Sequence, residues 1–219
     1  MGLLSNATIF TLMVLPVFLL TKGHRIEFGR LIVLAAVIAS YMIAESTLLA
    51  SLAGMPLPQH LVTVVVIPVV DTLLMNFVLN DPKARKVLRV HDTSDDAGAV
   101  VAALWTTVEL VLYRCFRWYR VVSVLGFDAE NLVSAAESFV GLNALLLAAR
   151  RINNLGNNGG GGNIATQHAW VAVLFLRVVM TAVGVALGST LAGSVLFAAA
   201  LLLLQLLCPP AHATNGKED

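Results

Sequence analysis

Residues 168–208 read HAWVAVLFLRVVMTAVGVALGSTLAGSVLFAAALLLLQLLC, two apolar runs of about twenty residues that meet near Gly188. A helix rises about 1.5 Å per residue, so about 20 residues cross the ~30 Å hydrocarbon layer of a bilayer. Five similar runs precede these two, and the sequence therefore predicts seven transmembrane helices. The predicted spans are 3–21, 31–53, 61–79, 98–116, 128–149, 168–187 and 189–208.

The composition supports a membrane-embedded chain. Hydrophobic residues make up 58% of the sequence, charged residues make up 12%, and the mean hydropathy is +0.84. The breaks between the spans are too short to fold as separate domains. We therefore expect an all-α membrane protein, a single seven-helix bundle over residues 1–208 followed by a short polar tail over 209–219. The first span carries no Lys or Arg before its apolar run, so we expect a retained helix rather than a signal peptide.

The distribution of Lys and Arg predicts the orientation. Ten lie in one alternating set of breaks and the tail: Lys22, Arg25, Arg30, Lys83, Arg85, Lys86, Arg89, Arg150, Arg151 and Lys217. Three lie on the other side: Arg114, Arg117 and Arg120. Cytoplasmic loops carry the excess of positive charge, which places the N-terminus in the lumen and the C-terminus in the cytosol. The net charge of +1 gives no basic field for binding nucleic acid.

Prolines and glycines mark the breaks and distortions. Pro16 and Pro68 fall inside spans and are expected to kink them, whereas Pro56 and Pro58 are expected to close off the second span. Small residues spaced four apart, Gly184 with Gly188 and Ser189 with Gly193, would let the last two helices approach closely. The polar run in 80–97 is expected to be solvated in the cytosol, and NNLGNNGGGGN at 153–163 is expected to be a flexible linker.

Ionisable side chains within the spans are the candidates for function, because they are costly in lipid. They are Glu45, Asp71, Glu109, Glu137 and Arg177, and Asn76 and Asn143 add amide groups. One interpretation is a proton or cation path through the bundle. The other, which we prefer, is structural: Arg177 pairs with one acid, while the other acids lie near an interface or form hydrogen bonds between helices. Asp71 and Glu109 lie deepest and are the best functional candidates.

Two further patterns bear on function. Arg114, Arg117 and Arg120 alternate with aromatic residues, which is typical of an anchor in the lipid headgroups and alternatively fits an acidic lumenal partner. The five histidines and two cysteines show no metal-ligand spacing, and no nucleophile–base arrangement is evident. We therefore expect no catalytic residue, no cofactor and no metal, and hence not an enzyme.

The central spans resemble the transmembrane protein 147 family. The likeness is carried by WTTVELVLYRC at 105–115 and GFDAENLVSAAES at 126–138. The matching residues are Trp105, Glu109, Leu110, Arg114, Cys115, Phe127, Asp128, Glu137 and Ser138, with Asp71 and Asn76 upstream. Pro16 and Lys22 also fit the family. The Gly/Asn-rich break resembles an insertion, and the last two spans look simplified relative to the family.

The resemblance implies an Aph-1-like fold with seven helices in the endoplasmic reticulum membrane. It further implies partnership with nicalin and NOMO, in an assembly at the Sec translocon that helps nascent multi-spanning membrane proteins insert among membrane lipids. In that role Trp105, Glu109, Arg114, Asp128 and Glu137 would be contact or packing residues. The alternative is a small transporter or channel that uses Asp71, Glu109, Glu137 and Arg177. A seven-helix receptor is disfavoured because its Asp-Arg-Tyr and Asn-Pro-x-x-Tyr signatures are missing.

Overall fold

The computed structural model describes residues 2–24, 28–88, 96–115, 129–153 and 169–207, and the regular structure within them is helical. We number the helices α1 to α8 in chain order. They are α1 (Gly2–Gly23), α2 (Ile32–Ser51), α3 (Pro56–Asn80), α4 (Pro82–Leu88), α5 (Asp96–Glu109), α6 (Ala129–Asn153), α7 (Ala169–Ala186) and α8 (Thr190–Leu207). A π-helical turn, Leu110–Cys115, continues α5. The expected all-α fold class is confirmed.

Each predicted span overlaps one long helix. Five helical stretches are long and apolar enough to cross a membrane: Ile32–Ser51, Pro56–Asn80, Ala97–Arg114, Asn131–Asn153 and Thr190–Leu207. Two apolar stretches, Ala7–Gly23 and Trp170–Ala186, are shorter. The chain therefore has the helices of a membrane protein.

Helix α6 lies at the centre of the bundle, where it packs against α1, α3, α5, α7 and α8. Helix α5 also contacts α1, α2 and α3. The most deeply buried large side chains include Leu34 and Ile38 of α2, Leu79 of α3, Val101 of α5 and Ile152 of α6. In lipid such a core is held by close packing rather than by exclusion of water.

Helix α3 accommodates Pro68 by widening. Pro68 lacks a backbone N–H and its ring crowds the preceding turn, so a regular α-helix is not possible there. The residues before it, Val62–Val66, form a π-helical turn in which the Ile67 N–H bonds to the Val62 carbonyl. The distortion predicted at Pro68 is thus a local π turn.

The boundary between α2 and α3 corrects one expectation. The third span begins earlier than predicted: α2 ends at Ser51, before both prolines, and α3 begins at Pro56 rather than at residue 61. Proline is well suited to the first turn of a helix, because the N–H that it lacks would have no intrahelical partner there. The turn between the helices contains Gly54, whose φ of 95° favours glycine.

Part of the polar break at 80–97 is also ordered, contrary to the solvated loop expected. The Asp81 carboxylate accepts hydrogen bonds from the backbone N–H groups of Lys83 (2.7 Å) and Ala84 (2.9 Å) and so caps α4. Ala84 and Leu88 of α4 are buried against the bundle. The Gly/Asn-rich linker from residue 154 onward and the tail lie outside the described residues.

Helices α7 and α8 form a hairpin around Gly188, which adopts a φ of 64°. Gly184 and Gly193 face each other across it, and a Cβ added at Gly184 would lie 2.9 Å from the Gly193 Cα. Two of the four small residues singled out in the sequence therefore form the close contact. Of the others, Gly188 makes the turn, and Ser189 accepts the Ala192 N–H at the start of α8.

Candidate functional site

An ion pair joins α3 to α7 in the middle of the bundle. The guanidinium Nη2 of Arg177 contacts Oδ2 of Asp71. The other carboxylate oxygen, Oδ1, accepts a hydrogen bond of 2.6 Å from the Tyr41 hydroxyl on α2. Asp71 is only 6% exposed, and its two oxygens thus both have partners. The Tyr41 ring lies 5.9 Å from that of Trp105 on α5, so the cluster connects four helices.

A second ionic cluster joins α5, α6 and α8. Arg114 contacts the Glu109 carboxylate at 3.1 Å and the Glu137 carboxylate at 3.7 Å. It also donates to the backbone carbonyl (2.6 Å) and the hydroxyl (2.5 Å) of Ser134. Glu137 in turn accepts a hydrogen bond from the Thr190 hydroxyl at the start of α8. Arg114 therefore balances two carboxylates within the bundle.

The π-helical turn at Leu110–Cys115 positions this cluster. Because a π turn contains more residues than an α turn, side chains after it emerge in different directions from those that a regular helix would give. Arg114 lies within this turn and Glu109 directly precedes it. Thr63 of α3, which lines a cavity between the helices together with Glu109 and Arg114, lies in the other π turn, Val62–Val66. Such turns are frequent at functional sites.

Both clusters border a half-open cavity of about 320 Å³ between α3, α5, α6, α7 and α8. Its charged lining residues are Glu109, Arg114, Glu137 and Arg177, and hydroxyl groups come from Thr63, Thr181, Thr190 and Ser194. Trp105, Leu145 and Phe197 supply apolar surface. The volume lies within the range of small-molecule sites, and the lining offers both signs of charge to water or a polar solute.

The structure brings together most of the residues singled out in the sequence. Five of them line the cavity: Trp105, Glu109, Arg114, Glu137 and Arg177. Asp71 forms an ion pair with one of these residues, Arg177. Asp128 lies outside the described residues.

Asn76 lies elsewhere. Its side-chain oxygen accepts a 2.7 Å hydrogen bond from Asn80, which also donates to the Ile152 carbonyl at 3.3 Å, so this pair joins α3 to the end of α6. Asn143 bonds to the Phe139 carbonyl of its own helix. These amides contribute to helix packing and do not belong to the cavity.

Arg114 differs from the expectation of a headgroup anchor, because its side chain turns into the bundle and pairs there; Arg117 and Arg120 lie outside the described residues. Glu137 accepts a hydrogen bond from Thr190 of α8, which is the bond between helices that the structural interpretation expected of the remaining acids. Tyr41 was not predicted as a site residue, although a tyrosine in the middle of an apolar span signals a hydroxyl that needs a partner.

Comparison with protein-family models, with curated proteins and with solved structures finds no match to this chain. Function is therefore inferred from the residues of the chain itself.

Proposed function

We propose that this chain is a non-enzymatic, multi-pass subunit of a membrane protein complex. The observation that carries the proposal is the internal pairing of charge: Asp71 with Arg177, and Glu109 and Glu137 with Arg114. Paired groups of this kind fix how helices pack. The outer surfaces of α2 and α8 remain apolar. In each helix only 17% of the most apolar 18-residue stretch is buried, so its surface is suited to lipid or to partner helices.

The finer proposal places this subunit in the endoplasmic reticulum membrane, with the N-terminus lumenal and seven spans. Its partners would be nicalin-like and NOMO-like proteins at the Sec translocon, and it would assist the insertion of multi-spanning proteins. Support comes from the resemblance to the transmembrane protein 147 family and from the Lys/Arg count. Four residues that carry the resemblance, Trp105, Glu109, Arg114 and Glu137, line one cavity.

The test is purification of the tagged full-length chain from microsomes in mild detergent, with quantitative identification of co-eluting proteins. We expect nicalin, NOMO and translocon subunits in fixed ratio to the chain. Recovery of the chain without these proteins, from membranes that contain them, would refute the finer proposal. Protease mapping of intact microsomes tests the orientation, since cleavage in the 153–163 segment is expected only from the cytosolic side.

A second candidate function is transport of a proton or small polar solute. The specific observation that favours it is the half-open cavity, whose lining carries two carboxylates and two guanidinium groups. Glu109→Gln distinguishes the two candidates when flux in reconstituted vesicles is compared with partner recovery. Loss of flux with intact assembly favours transport. Loss of partners, with no flux in either form, favours the subunit role.

A further inference from the structure

The cavity occupies only one half of the bundle. Arg114, in the π turn that continues α5, and Thr190, at the start of α8, both contact Glu137 near the start of α6. At the opposite end of the bundle Asn80, the last residue of α3, donates to the Ile152 carbonyl near the end of α6. The first three residues line the cavity, whereas Asn80 and Ile152 do not. The cavity therefore lies in the half of the bundle in which α6 and α8 begin.

The cavity extends about two to three turns along each of four helices. Its lining residues fall within 105–114, 137–145, 177–185 and 190–197. Since a helix rises about 1.5 Å per residue, these ranges correspond to a depth of about 10–14 Å. Each helix contributes one lining residue at the deepest level. We call these four residues the floor of the cavity: Trp105, Leu145, Arg177 and Phe197.

The floor is closed by buried side chains. One turn beyond it, each of the four helices contributes a residue that is at most 1% exposed: Val101, Ala148, Val173 and Leu201. All four belong to one contiguous hydrophobic cluster. Such a cluster is close-packed, with few voids larger than a water molecule. Among the described residues the cavity therefore has no continuation through the bundle, and it forms a blind pocket.

The pocket carries groups of opposite charge at different depths. Arg177 lies at the floor with its side chain 19% exposed, and its Nη2 contacts Asp71, which does not line the pocket. A guanidinium has five N–H donors, so one such contact leaves donors for a ligand. Glu109 lies four residues, or about 6 Å, nearer the mouth than Trp105 of the floor. Its side chain is 31% exposed, and one of its oxygens contacts Arg114.

The lining matches a ligand that carries both signs of charge. The described lining residues include two arginines and two glutamates, so a ligand with a single charge would be attracted by one pair and repelled by the other. Arginine binds carboxylate and phosphate groups with paired hydrogen bonds. An ammonium group binds carboxylates and the faces of aromatic rings such as that of Trp105. A separation of about one helical turn between Arg177 and Glu109 suits an ammonium and an acidic group that are a few bonds apart.

We propose that the cavity is a blind binding pocket for a zwitterionic group, whose anionic part binds to Arg177 at the floor and whose ammonium part binds to Glu109. A free amino acid or phosphoethanolamine and the headgroup of phosphatidylethanolamine share this chemistry. The inference goes beyond the subunit role, which requires no ligand. It names the ligand class for the cavity on which the second candidate function rests.

Calorimetric titration of the full-length chain in an uncharged detergent tests the ligand class. The probes are phosphoethanolamine and leucine, each compared with the same molecule lacking its ammonium or its acidic group. We expect at least one intact probe to bind about 10- to 150-fold more tightly than its single-charge relatives, the range for loss of a hydrogen bond to a charged group. Glu109→Gln should remove this advantage of the ammonium group and leave the affinity for the single-charge anion unchanged. A purely structural role of Glu109 would not separate these two affinities.

A steric variant provides the second measurement. Gly141 lines the pocket, and among the described residues no atom beyond the backbone of its own helix lies within 4 Å of a Cβ added there. Gly141→Leu should therefore fill the pocket without a backbone clash and abolish binding of the probe. Ala136→Leu, at an exposed position of the same helix, should leave binding unchanged.

The source of the ligand is identified by competition. Phosphatidylethanolamine added to the micelles should displace the free probe if the headgroup is the natural ligand. Phosphatidylglycerol, which lacks the ammonium group, is the control. If phosphatidylethanolamine does not compete, the ligand is a free zwitterion from the aqueous side.

Thiol labelling in sealed microsomes tests whether the pocket is blind. In a background with Cys115 and Cys208 replaced by Ala, Thr181→Cys should react with an impermeant maleimide from one side only. That side should be the one that labels Leu187→Cys between α7 and α8, and not the one that labels Lys83→Cys on α4. Labelling of Thr181→Cys from both sides would overturn the blind pocket.

Equal affinity for the intact probes and their single-charge relatives, or binding that survives Gly141→Leu, overturns the ligand assignment. Neither result affects the recovery of partner proteins from microsomes, so the subunit proposal succeeds or fails separately.

Discussion

Gly184 and Gly193 bring the backbones of α7 and α8 into direct contact: a Cβ at Gly184 would lie 2.9 Å from the Gly193 Cα and 3.2 Å from its nitrogen. Both neighbours are backbone atoms, so they cannot move aside as a flexible side chain would. The hairpin also forms one wall of the polar cavity, to which Gly184, Thr190 and Gly193 contribute. A larger side chain at this contact is therefore expected to affect both the stability of the bundle and the wall of the cavity.

We predict that Gly184→Ala destabilises the bundle by about 1–3 kcal/mol, the usual cost of overpacking. Thermal unfolding in detergent, followed by fluorescence-detected gel filtration, measures the effect as a lower midpoint. Gly141→Ala on α6 is the matched control, because among the described residues no atom beyond the backbone of its own helix lies within 4 Å of its added Cβ. Similar midpoints for the two variants would contradict the close contact.

The Asp71–Arg177 pair should behave as a coupled unit. Asp71→Asn or Arg177→Gln alone leaves a buried charge without its partner and is expected to cost about 3–5 kcal/mol. The double variant should cost less than the sum of the single ones, because it leaves neither charge unpaired. Unfolding in a denaturing detergent measures all three. Asn143→Leu, which removes a hydrogen bond within one helix, is the control. Additive losses would show that the two groups do not interact.

The long apolar helices could be predicted from sequence because membrane thickness fixes the length of an apolar run. Which charged residues pair with each other was harder to predict. An isolated charge is costly in lipid, so Arg177 was expected to pair with an acid. The sequence pattern does not show which helices face each other, and Asp71 could therefore not be selected over the other acids.

Arg114 shows that neighbouring residues in the sequence do not by themselves predict where a side chain lies. It lies beside Tyr113 at the end of a predicted span, where arginine is commonly an interfacial anchor. The π turn at Leu110–Cys115 changes the direction of the side chain, and periodicity analysis assumes a regular helix. Helix α4 was not predicted because its run of charged residues resembles a solvated loop. Asp81-Pro82, a cap followed by a first-turn proline, nevertheless marks a helix start.

The half-open cavity should admit water, and cysteine labelling can detect it. In a background with Cys115 and Cys208 replaced by Ala, we expect Ser194→Cys to react with a water-soluble maleimide, since Ser194 lines the cavity. Thiols react as thiolates, which form in water and not in a dry apolar core. Leu201→Cys on the same helix should be inert, because Leu201 is 1% exposed. Equal labelling of both positions, or of neither, would contradict a water-filled cavity.

The cap of α4 should control proteolysis of the connection between α3 and α5. Asp81 accepts two backbone N–H groups of the first turn of α4, and Ala in its place leaves them without a partner. Loss of a helix cap costs about 0.5–2 kcal/mol, which corresponds to an opening of the helix that is about 2- to 30-fold more frequent. Cleavage by trypsin at Lys83 and Lys86 follows the open population when closing is fast, so Asp81→Ala should be cut faster by this factor.

Asp81→Asn is the control for this experiment, because Asn is as effective a cap as Asp and removes only the charge. It should be cleaved at nearly the original rate. If Asp81→Asn and Asp81→Ala were cut equally fast, the negative charge beside Lys83, rather than the hydrogen bonds of the cap, would protect the segment. If neither were cut faster, the burial of Ala84 and Leu88 against the bundle would alone hold α4 in place.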